Sequence, residues 1–202
     1  MSLKIKEIFY SLQGEGGRTG EASIFIRLAG CNLKCEFCDT DFSGGTEMEL
    51  TEIHQVIKKY PCRWIIWTGG EPALQLTDEI LAFFKSLGYK QAIESNGILP
   101  LSQLLDYKAV SPKGNVLYAK KANPIVDEIR MPVQKGDNLP EIEDLPEAKR
   151  YFVSPIFAEK RELTDGKLSA ETRGNIAYCV ELALQNPQWT LSLQTHKLIN
   201  IE

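Results

Sequence analysis

The chain has 202 residues, of which 43% are apolar and 25% are charged, and its formal net charge is -4 with a pI near 5.4. These values are typical of one well-buried globular fold, and the acidic balance argues against binding to a nucleic-acid backbone. The N-terminus lacks the apolar core of a secretory signal, and no apolar run approaches the roughly 20 residues of a membrane span. We therefore expect a cytoplasmic protein.

Short apolar runs rich in β-branched residues alternate with helical patterns, which indicates parallel βα units. The predicted strands are 4–9, 23–28, 64–67, 91–94, 107–110, 126–131, 150–153 and 189–193. The predicted helices are 51–60, 79–87 and 170–185. The segment 132–149 is rich in Pro, Asp and Glu and is predicted to be an exposed loop with a short helix.

The number of these units predicts the fold class. A complete eight-unit barrel typically needs about 250 residues, more than this chain has. If residues 1–22 form an N-terminal extension carrying a binding loop, about six βα units remain in residues 23–202. We therefore predict an α/β fold, a partial (β/α)6 barrel that is open on one side, and a single domain over residues 1–202.

A cluster of cysteines follows the second predicted strand. Cys31, Cys35 and Cys38 lie within eight residues, and Phe37 precedes the last of them. Thiolates are soft ligands that select iron-sulfur clusters, zinc or Cu(I). Because three thiolates can ligate only three irons of a [4Fe-4S] cube, the spacing favours a cluster with one open iron, suited to chemistry.

The residues alone leave other interpretations of the cysteines open. A structural zinc site could take its fourth ligand from His54, His196, Cys62 or Cys179, although such sites usually contain two separated cysteine pairs. Five cysteines, an odd number, without an export signal favour reduced thiols over disulfides. We expect Cys62 and Cys179 to be small core residues.

Further polar motifs follow predicted strands at their C-terminal ends, where parallel α/β folds place catalytic groups. They are 68–72 (Thr-Gly-Gly-Glu-Pro), 94–97 (Glu-Ser-Asn-Gly) and 111–113 (Ser-Pro-Lys). The first could be only a tight turn into a helix, and the second only a solvated strand end with an Asn-Gly turn. Their shared placement predicts that these loops meet at one rim.

Three polar residues within or near apolar strands also need an explanation. Arg27 lies in an apolar strand and requires an anion, either a structural glutamate or a substrate carboxylate, and we favour the substrate. Gln194 and His196 lie two positions apart on the predicted last strand and should face one side, although a lone histidine could also be structural. The glycine-rich segment 12–17 lacks the order of a phosphate-binding loop.

The cysteine spacing, with an aromatic residue before the third cysteine and the Gly-Gly-Glu-Pro of 69–72, resembles the motifs of radical S-adenosylmethionine (SAM) enzymes. From residues 9–16 to 193–197 the chain resembles the 7-carboxy-7-deazaguanine synthase family. The resemblance implies a carbon-nitrogen lyase that contracts 6-carboxy-5,6,7,8-tetrahydropterin to 7-carboxy-7-deazaguanine with loss of ammonia. This reaction belongs to queuosine and other deazapurine biosynthesis, a tRNA modification pathway.

The resemblance also implies cofactors and site residues. Cys31, Cys35 and Cys38 would hold a [4Fe-4S] cluster, and the Thr40 hydroxyl would touch Mg2+. The implied SAM-binding residues are Phe37, Cys38, Asp39, Gly70, Glu94, Asn96, Ser111, Pro112, Lys113 and Ser154. The implied substrate-binding residues are Leu12, Gln13, Gly14, Glu15, Arg27, Thr68, His196 and the C-terminal Glu202.

The family further implies partners: a small pterin substrate, a flavodoxin or ferredoxin as electron donor, and a second copy of the chain in a homodimer, without a nucleic acid or membrane. Two alternatives remain at this point. A glycyl-radical enzyme activase has similar cysteine spacing and size, and a non-catalytic zinc-binding module would use the same thiols. Neither alternative needs the polar set around Gln13 and His196.

Overall fold

The computed structural model describes residues 1–114, 116–158 and 168–201. These residues contain one mixed sheet of nine strands, in the order β3-β1-β2-β4-β5-β6-β7-β8-β9. The strands are β1 Ser2–Leu12, β2 Ala22–Leu28, β3 Thr46–Glu49, β4 Trp64–Gly69, β5 Lys90–Ser95, β6 Tyr107–Val110, β7 Ile125–Val133, β8 Glu147–Pro155 and β9 Trp189–Leu191. The α-helices are α1 Leu50–Ile57, α2 Asp78–Ser86, α3 Val116–Ala122, α4 Ala170–Gln185 and α5 Thr195–Leu198, and short 3-10 turns cover Gly16–Arg18, Pro72–Leu74 and Ile142–Asp144.

Parallel pairing runs from β2 through β4, β5, β6, β7 and β8 to β9. At the other edge, β1 pairs antiparallel with both β2 and β3. Within the described residues, the edge strands β3 and β9 do not pair with each other. The predicted α/β architecture, reduced and open on one side, is therefore confirmed.

Several elements differ from the sequence prediction. The short edge strand β3 and the helix α3 were not predicted, and the described parts of the β5–β6 and β7–β8 connections contain no α-helix. β7 continues to Val133 and β8 begins at Glu147, so the loop predicted over 132–149 is shorter and contains one 3-10 turn. The last strand ends at Leu191, and residues 195–198 are helical.

Side-chain alternation along the strands gives the sheet two different faces. Ile24, Ile26 and Leu28 of β2 are fully buried in the main apolar core, to which α1 and α2 also contribute. Phe25, from the opposite face, packs instead with Ile66 and Ala92 in a second, small cluster. The second face therefore carries little apolar material and leaves room for polar groups.

The chain after β1 crosses this second face. The Gly17 N–H donates to Glu128 Oε2 at 2.7 Å, and the Gly16 N–H donates to Ser192 Oγ at 2.8 Å. Gly16 has φ of +68°, and a Cβ added there would lie 2.2 Å from Glu128 Oε1. Only glycine combines this backbone conformation with so close an approach, so the loop is fixed against β7.

The two isolated cysteines lie away from the cysteine loop, in the core as predicted. Cys179 is buried in the main core, and Cys62 is half-buried at its margin. No helix among the described residues has both the length and the apolar character that a membrane crossing requires.

Candidate active site

A cavity of about 590 Å³ opens at the C-terminal ends of the parallel strands. Every residue implied by the resemblance lines it except two. Pro112 is buried beside the cavity without lining it, and Glu202 lies outside the described residues. The lining residues from the metal-binding, SAM-binding and substrate-binding sets are Leu12, Gln13, Gly14, Glu15, Arg27, Cys31, Cys35, Phe37, Cys38, Asp39, Thr40, Thr68, Gly70, Glu94, Asn96, Ser111, Lys113, Ser154 and His196.

The three thiols of the cysteine loop are half-buried and line one wall of the cavity. Burial raises the pKa of Cys35; the Lys113 ammonium opposes this shift, whereas Cys38 and Cys31 add to it. Three thiolates crowded in a partly desolvated wall repel one another, and a bound cationic centre relieves that repulsion. This donor set fits a [4Fe-4S] cluster, whose thiolates bind separate irons.

The zinc alternative finds less support. A structural zinc ion needs four ligands converging on one point. His54, proposed as a possible fourth ligand, instead packs edge-on against the ring of Tyr89.

The Gly-Gly-Glu-Pro turn fastens the cysteine loop to the sheet. A Cβ added at Gly70 would lie 1.8 Å from the carbonyl oxygen of Gly30, and the Glu71 N–H donates to that oxygen at 2.9 Å. The Glu71 carboxylate is fully buried and accepts from Ser95 Oγ at 2.9 Å and from the Asn96 N–H at 2.7 Å. Burial raises the pKa of Glu71, and these donors oppose the shift. Glu71 is therefore a structural anchor.

The residues that the resemblance implies for SAM binding differ in whether their side chains already have hydrogen-bond partners within the protein. Asn96 Nδ2 donates to Asn32 Oδ1 of the cysteine loop at 2.8 Å, so this amide already has a structural partner. The Lys113 Nζ lies 2.6 Å from Ser111 Oγ and over the ring of Phe37. Burial lowers the pKa of Lys113, and an anionic ligand would oppose that shift.

Ser154 is the clearest sign of a missing ligand in the described part of the chain. Its side chain lines the cavity, and its buried Oγ has no hydrogen-bond partner among the described residues. Buried hydroxyls are normally satisfied, so this oxygen indicates a polar group that binds in the cavity.

On the opposite wall, the glycine-rich segment meets the C-terminal helix. The Gly14 carbonyl accepts from both the backbone N–H and the hydroxyl of Thr195, at 3.0 and 2.8 Å. A Cβ added at Gly14 would lie 2.1 Å from His196 Nδ1. The prediction that His196 lies on a strand is wrong, because residue 195 begins α5, but both Gln194 and His196 line the cavity. Burial lowers the pKa of His196, which favours the neutral imidazole.

Arg27 has the structural partner that the sequence left open. Its Nε lies 2.5 Å from Glu7 Oε1, and its guanidinium lies near the ring of Phe9. The side chain also lines the cavity. Because a guanidinium carries five N–H donors, the ion pair with Glu7 does not prevent Arg27 from binding a substrate carboxylate as well.

Thr40 and Asp39 follow the last cysteine directly. The Thr40 hydroxyl donates to Asp39 Oδ1 at 3.2 Å, and Asp39 Oδ2 lies 2.7 Å from Lys197 Nζ. Although burial acts to raise the pKa of Asp39, Lys197 and Thr40 bring it below its ordinary value. Asp39 is thus held by α5, and the Thr40 hydroxyl lines the cavity beside it.

Sequence reasoning missed three charged residues. Arg130 lines the cavity and pairs with Glu15, Glu94 and Glu128, and the buried Lys197 joins α5 to the cysteine loop. The three missed residues are therefore Glu128, Arg130 and Lys197. The sequence contained a signal for Glu128 and Arg130, which occupy alternate positions in the predicted strand 126–131. Two charges of opposite sign on one face of a predicted strand indicate a polar site on that face.

Comparison with known proteins agrees with this geometry. The family model described as "Radical SAM superfamily" matches residues 25–151. The chain is 41% identical to 7-carboxy-7-deazaguanine synthase of Bacteroides thetaiotaomicron, over 100% of both chains. It is 38% identical to the enzyme of that name from Haemophilus influenzae, over 100% of this chain and 95% of the relative.

Among solved structures, the crystal structure of QueE from Escherichia coli superposes with a TM-score of 0.69 at 24% sequence identity, covering 97% of this chain and 95% of that one. At this identity the superposition supports the fold alone. The family assignment depends on the sequence relatives, which share the full length of the chain. This chain therefore belongs to the radical SAM superfamily and, within it, to the 7-carboxy-7-deazaguanine synthase family.

Proposed function

We propose that the protein is a 7-carboxy-7-deazaguanine synthase that contracts the ring of 6-carboxy-5,6,7,8-tetrahydropterin, with loss of ammonia. One observation carries the proposal. A single cavity brings together the three thiols, the Gly-Gly-Glu-Pro turn and the polar segment 12–15, in a chain that matches such synthases over its full length. A glycyl-radical activase would need a groove that binds a partner protein, in place of the side chains that would bind a small-molecule substrate in this cavity.

The cofactor half of the cavity would be formed by the cysteine loop and the ends of β4, β5 and β6. Cys31, Cys35 and Cys38 would hold a [4Fe-4S] cluster, which when bound supplies the electron for reductive cleavage of SAM. Lys113 would bind the SAM carboxylate as a buried cation. The close packing of Gly70 against Gly30 keeps the backbone free of side chains where the SAM amino group would bind.

The substrate half would be formed by segment 12–15, Arg27, Thr68 and α5. The donors and acceptors of Gln13 and the neighbouring backbone suit the aminopyrimidinone edge of a pterin. Arg27 would bind the substrate carboxylate, and the neutral His196 imidazole can both donate and accept a hydrogen bond. With Thr40, the substrate oxygens would complete a Mg2+ site.

In this account, the protein orients the two small molecules and excludes water. A flavodoxin or ferredoxin that would donate electrons, and assembly of two copies of the chain into a homodimer, are part of the same proposal. We propose no catalytic residue other than the residues that would bind the cofactors.

The proposal is tested by anaerobic incubation of the reconstituted protein with 6-carboxy-5,6,7,8-tetrahydropterin, SAM, Mg2+ and a reductant. We expect 7-carboxy-7-deazaguanine and one ammonia per turnover, detected by liquid chromatography and mass spectrometry. The variant Cys35→Ala is the matched control and should form no product. Reductive cleavage of SAM by the wild-type protein without any deazapurine product would refute the substrate assignment while leaving the radical SAM assignment intact.

A further inference from the structure

Arg130 lies between the two halves of the cavity. We propose that Arg130 is a positioning residue that holds the pterin subsite and the SAM subsite in register with each other. This inference rests on the proposed function, because it uses the assignment of Glu15 to the pterin and of Glu94 to SAM. Arg130 itself acts through these carboxylates.

The geometry places one guanidinium among three carboxylates. Arg130 is 5% exposed, and its Nη1 donates to Glu15 Oε2 at 3.0 Å. Its Nη2 contacts Glu94 Oε2, and its Nε lies 2.9 Å from Glu128 Oε1 without hydrogen-bond geometry. The planar fork of arginine can serve three directions at once, which a lysine ammonium on a flexible stem cannot do in the same way.

Two of these carboxylates reach onward into the ligand-binding elements. Glu94 Oε1 accepts from Gln13 Nε2 at 2.8 Å, which joins the SAM side to the pterin loop. Glu15 Oε1 accepts from Gln194 Nε2 at 2.9 Å, which joins the pterin loop to the residue before α5. In each ligand subsite, therefore, one carboxylate oxygen accepts from a glutamine and the other oxygen contacts Arg130.

The third carboxylate, that of Glu128, forms an ion pair with Arg130 from outside the cavity. Glu128 Oε2 accepts from the Tyr107 hydroxyl and from the Gly17 N–H, both at 2.7 Å. Glu128 is 2% exposed and lies outside the cavity lining. It can therefore orient Arg130 without touching either ligand, which makes it a useful second site for a test.

The charge balance explains why the position of Arg130 matters. Glu128 is buried and Glu15 and Glu94 are half-buried, so the three carboxylates repel one another, and all of them pair with the guanidinium of Arg130. Arg130→Lys keeps the positive charge, but one ammonium cannot meet all three carboxylates in the same geometry, so Glu15 and Glu94 will turn toward other partners. This response changes both subsites together, whereas loss of an ordinary contact residue changes only one.

The test measures ligand binding to the cluster-reconstituted enzyme under anaerobic conditions, without reductant, so that no turnover occurs. The dissociation constants of the pterin and of SAM are determined for the wild type, Arg130→Lys and Glu128→Gln, together with the melting temperature. We expect at least a tenfold weaker binding of both ligands in Arg130→Lys and a smaller weakening of both in Glu128→Gln. Arg63→Lys is the matched control, because Arg63 packs over the ring of Tyr89 and does not line the cavity, and it should stay within about twofold of the wild type.

The outcomes are distinct. If Arg130→Lys weakens only one ligand, or neither, the bridging role is overturned. If this variant does not fold, Glu128→Gln decides: weakening of both ligands supports the inference, and wild-type affinities refute it. Failure of the wild-type enzyme to bind the pterin at all would refute the proposed substrate instead of the role of Arg130.

Discussion

Replacing Gly70 by alanine should disturb the cysteine loop directly. The added Cβ would lie 1.8 Å from the Gly30 carbonyl oxygen and 3.0 Å from Cys31 Cβ. Because such contacts essentially never fall below 3.0 Å, the two segments must separate by about 1.2 Å. That movement also strains the bond from the Glu71 N–H to the same carbonyl, which measures 2.9 Å.

The magnitude follows from these two effects. Overpacking costs about 1–3 kcal/mol, and loss of one backbone hydrogen bond adds about 1 kcal/mol. The free energy of unfolding should therefore fall by roughly 2–4 kcal/mol, which lowers the melting temperature of a chain of this size by roughly 4–16 °C. The displaced loop should also hold iron poorly, with fewer than the roughly four irons per chain of a complete cluster.

Calorimetry of the metal-free protein and iron analysis after anaerobic reconstitution measure both consequences. Gly174→Ala is the control: a Cβ added there meets nothing within 4 Å, and alanine stabilises a helix interior by about 1 kcal/mol. The control should keep its iron, and its melting temperature should rise by roughly 2–4 °C. A Gly70→Ala protein as stable and as iron-rich as the wild type would show that the contact with Gly30 does not position the cysteine loop.

Three further predictions concern charge and thiol chemistry. Lys197→Met removes the ion-pair partner that lies 2.7 Å from Asp39. The free energy of unfolding, measured by urea titration, should fall by roughly 1–3 kcal/mol, a modest value because Asp39 is partly exposed. No change would mean that the ion pair does not stabilise the fold. The pKa of Asp39 is held below the ordinary 3.8, so its ionised form stabilises the fold above that pH and the contribution is lost as the pH falls through the lowered value. The stability difference between the wild type and Asp39→Asn should therefore shrink between about pH 5 and pH 2, and a constant difference would contradict the shift. Burial raises the pKa of Cys179 to about 12, so alkylation of the folded, metal-free protein at pH 8 should modify the half-buried cysteines of the cysteine loop before Cys179. Peptide mass spectrometry measures the order, and early labelling of Cys179 would contradict its burial.

The sequence predicted the strands on which the site depends because their apolar runs are strong and short. It also predicted that the polar motifs share a rim, since parallel strands end at the same edge of a sheet. The structure agrees: the cysteine loop and the residues after β4, β5 and β6 all line one cavity. Local pattern was sufficient here because chain direction alone determines where these loops lie.

The errors arise where long-range contacts decide local structure. Residues 192–196 were predicted to continue the last strand, but β9 ends at Leu191 and α5 begins at Thr195. Thr195 donates twice to the Gly14 carbonyl, a contact between distant parts of the chain that no local pattern contains. Likewise, the sequence left open that Glu94 lies at a solvated strand end, whereas the fold brings it to Arg130, 36 positions along the sequence. The pairing of Arg27 with Glu7 is the exception that sequence reasoning anticipated as an alternative.

The central claim is that Cys31, Cys35 and Cys38 hold a cluster with one iron left open for SAM. Mössbauer spectroscopy of anaerobically reconstituted, iron-57-labelled protein, recorded with and without SAM, tests it most directly. The account predicts about four irons per chain, one of which changes its parameters when SAM binds. A colourless protein with one zinc per chain, or a cluster in which no iron responds to SAM, would contradict it.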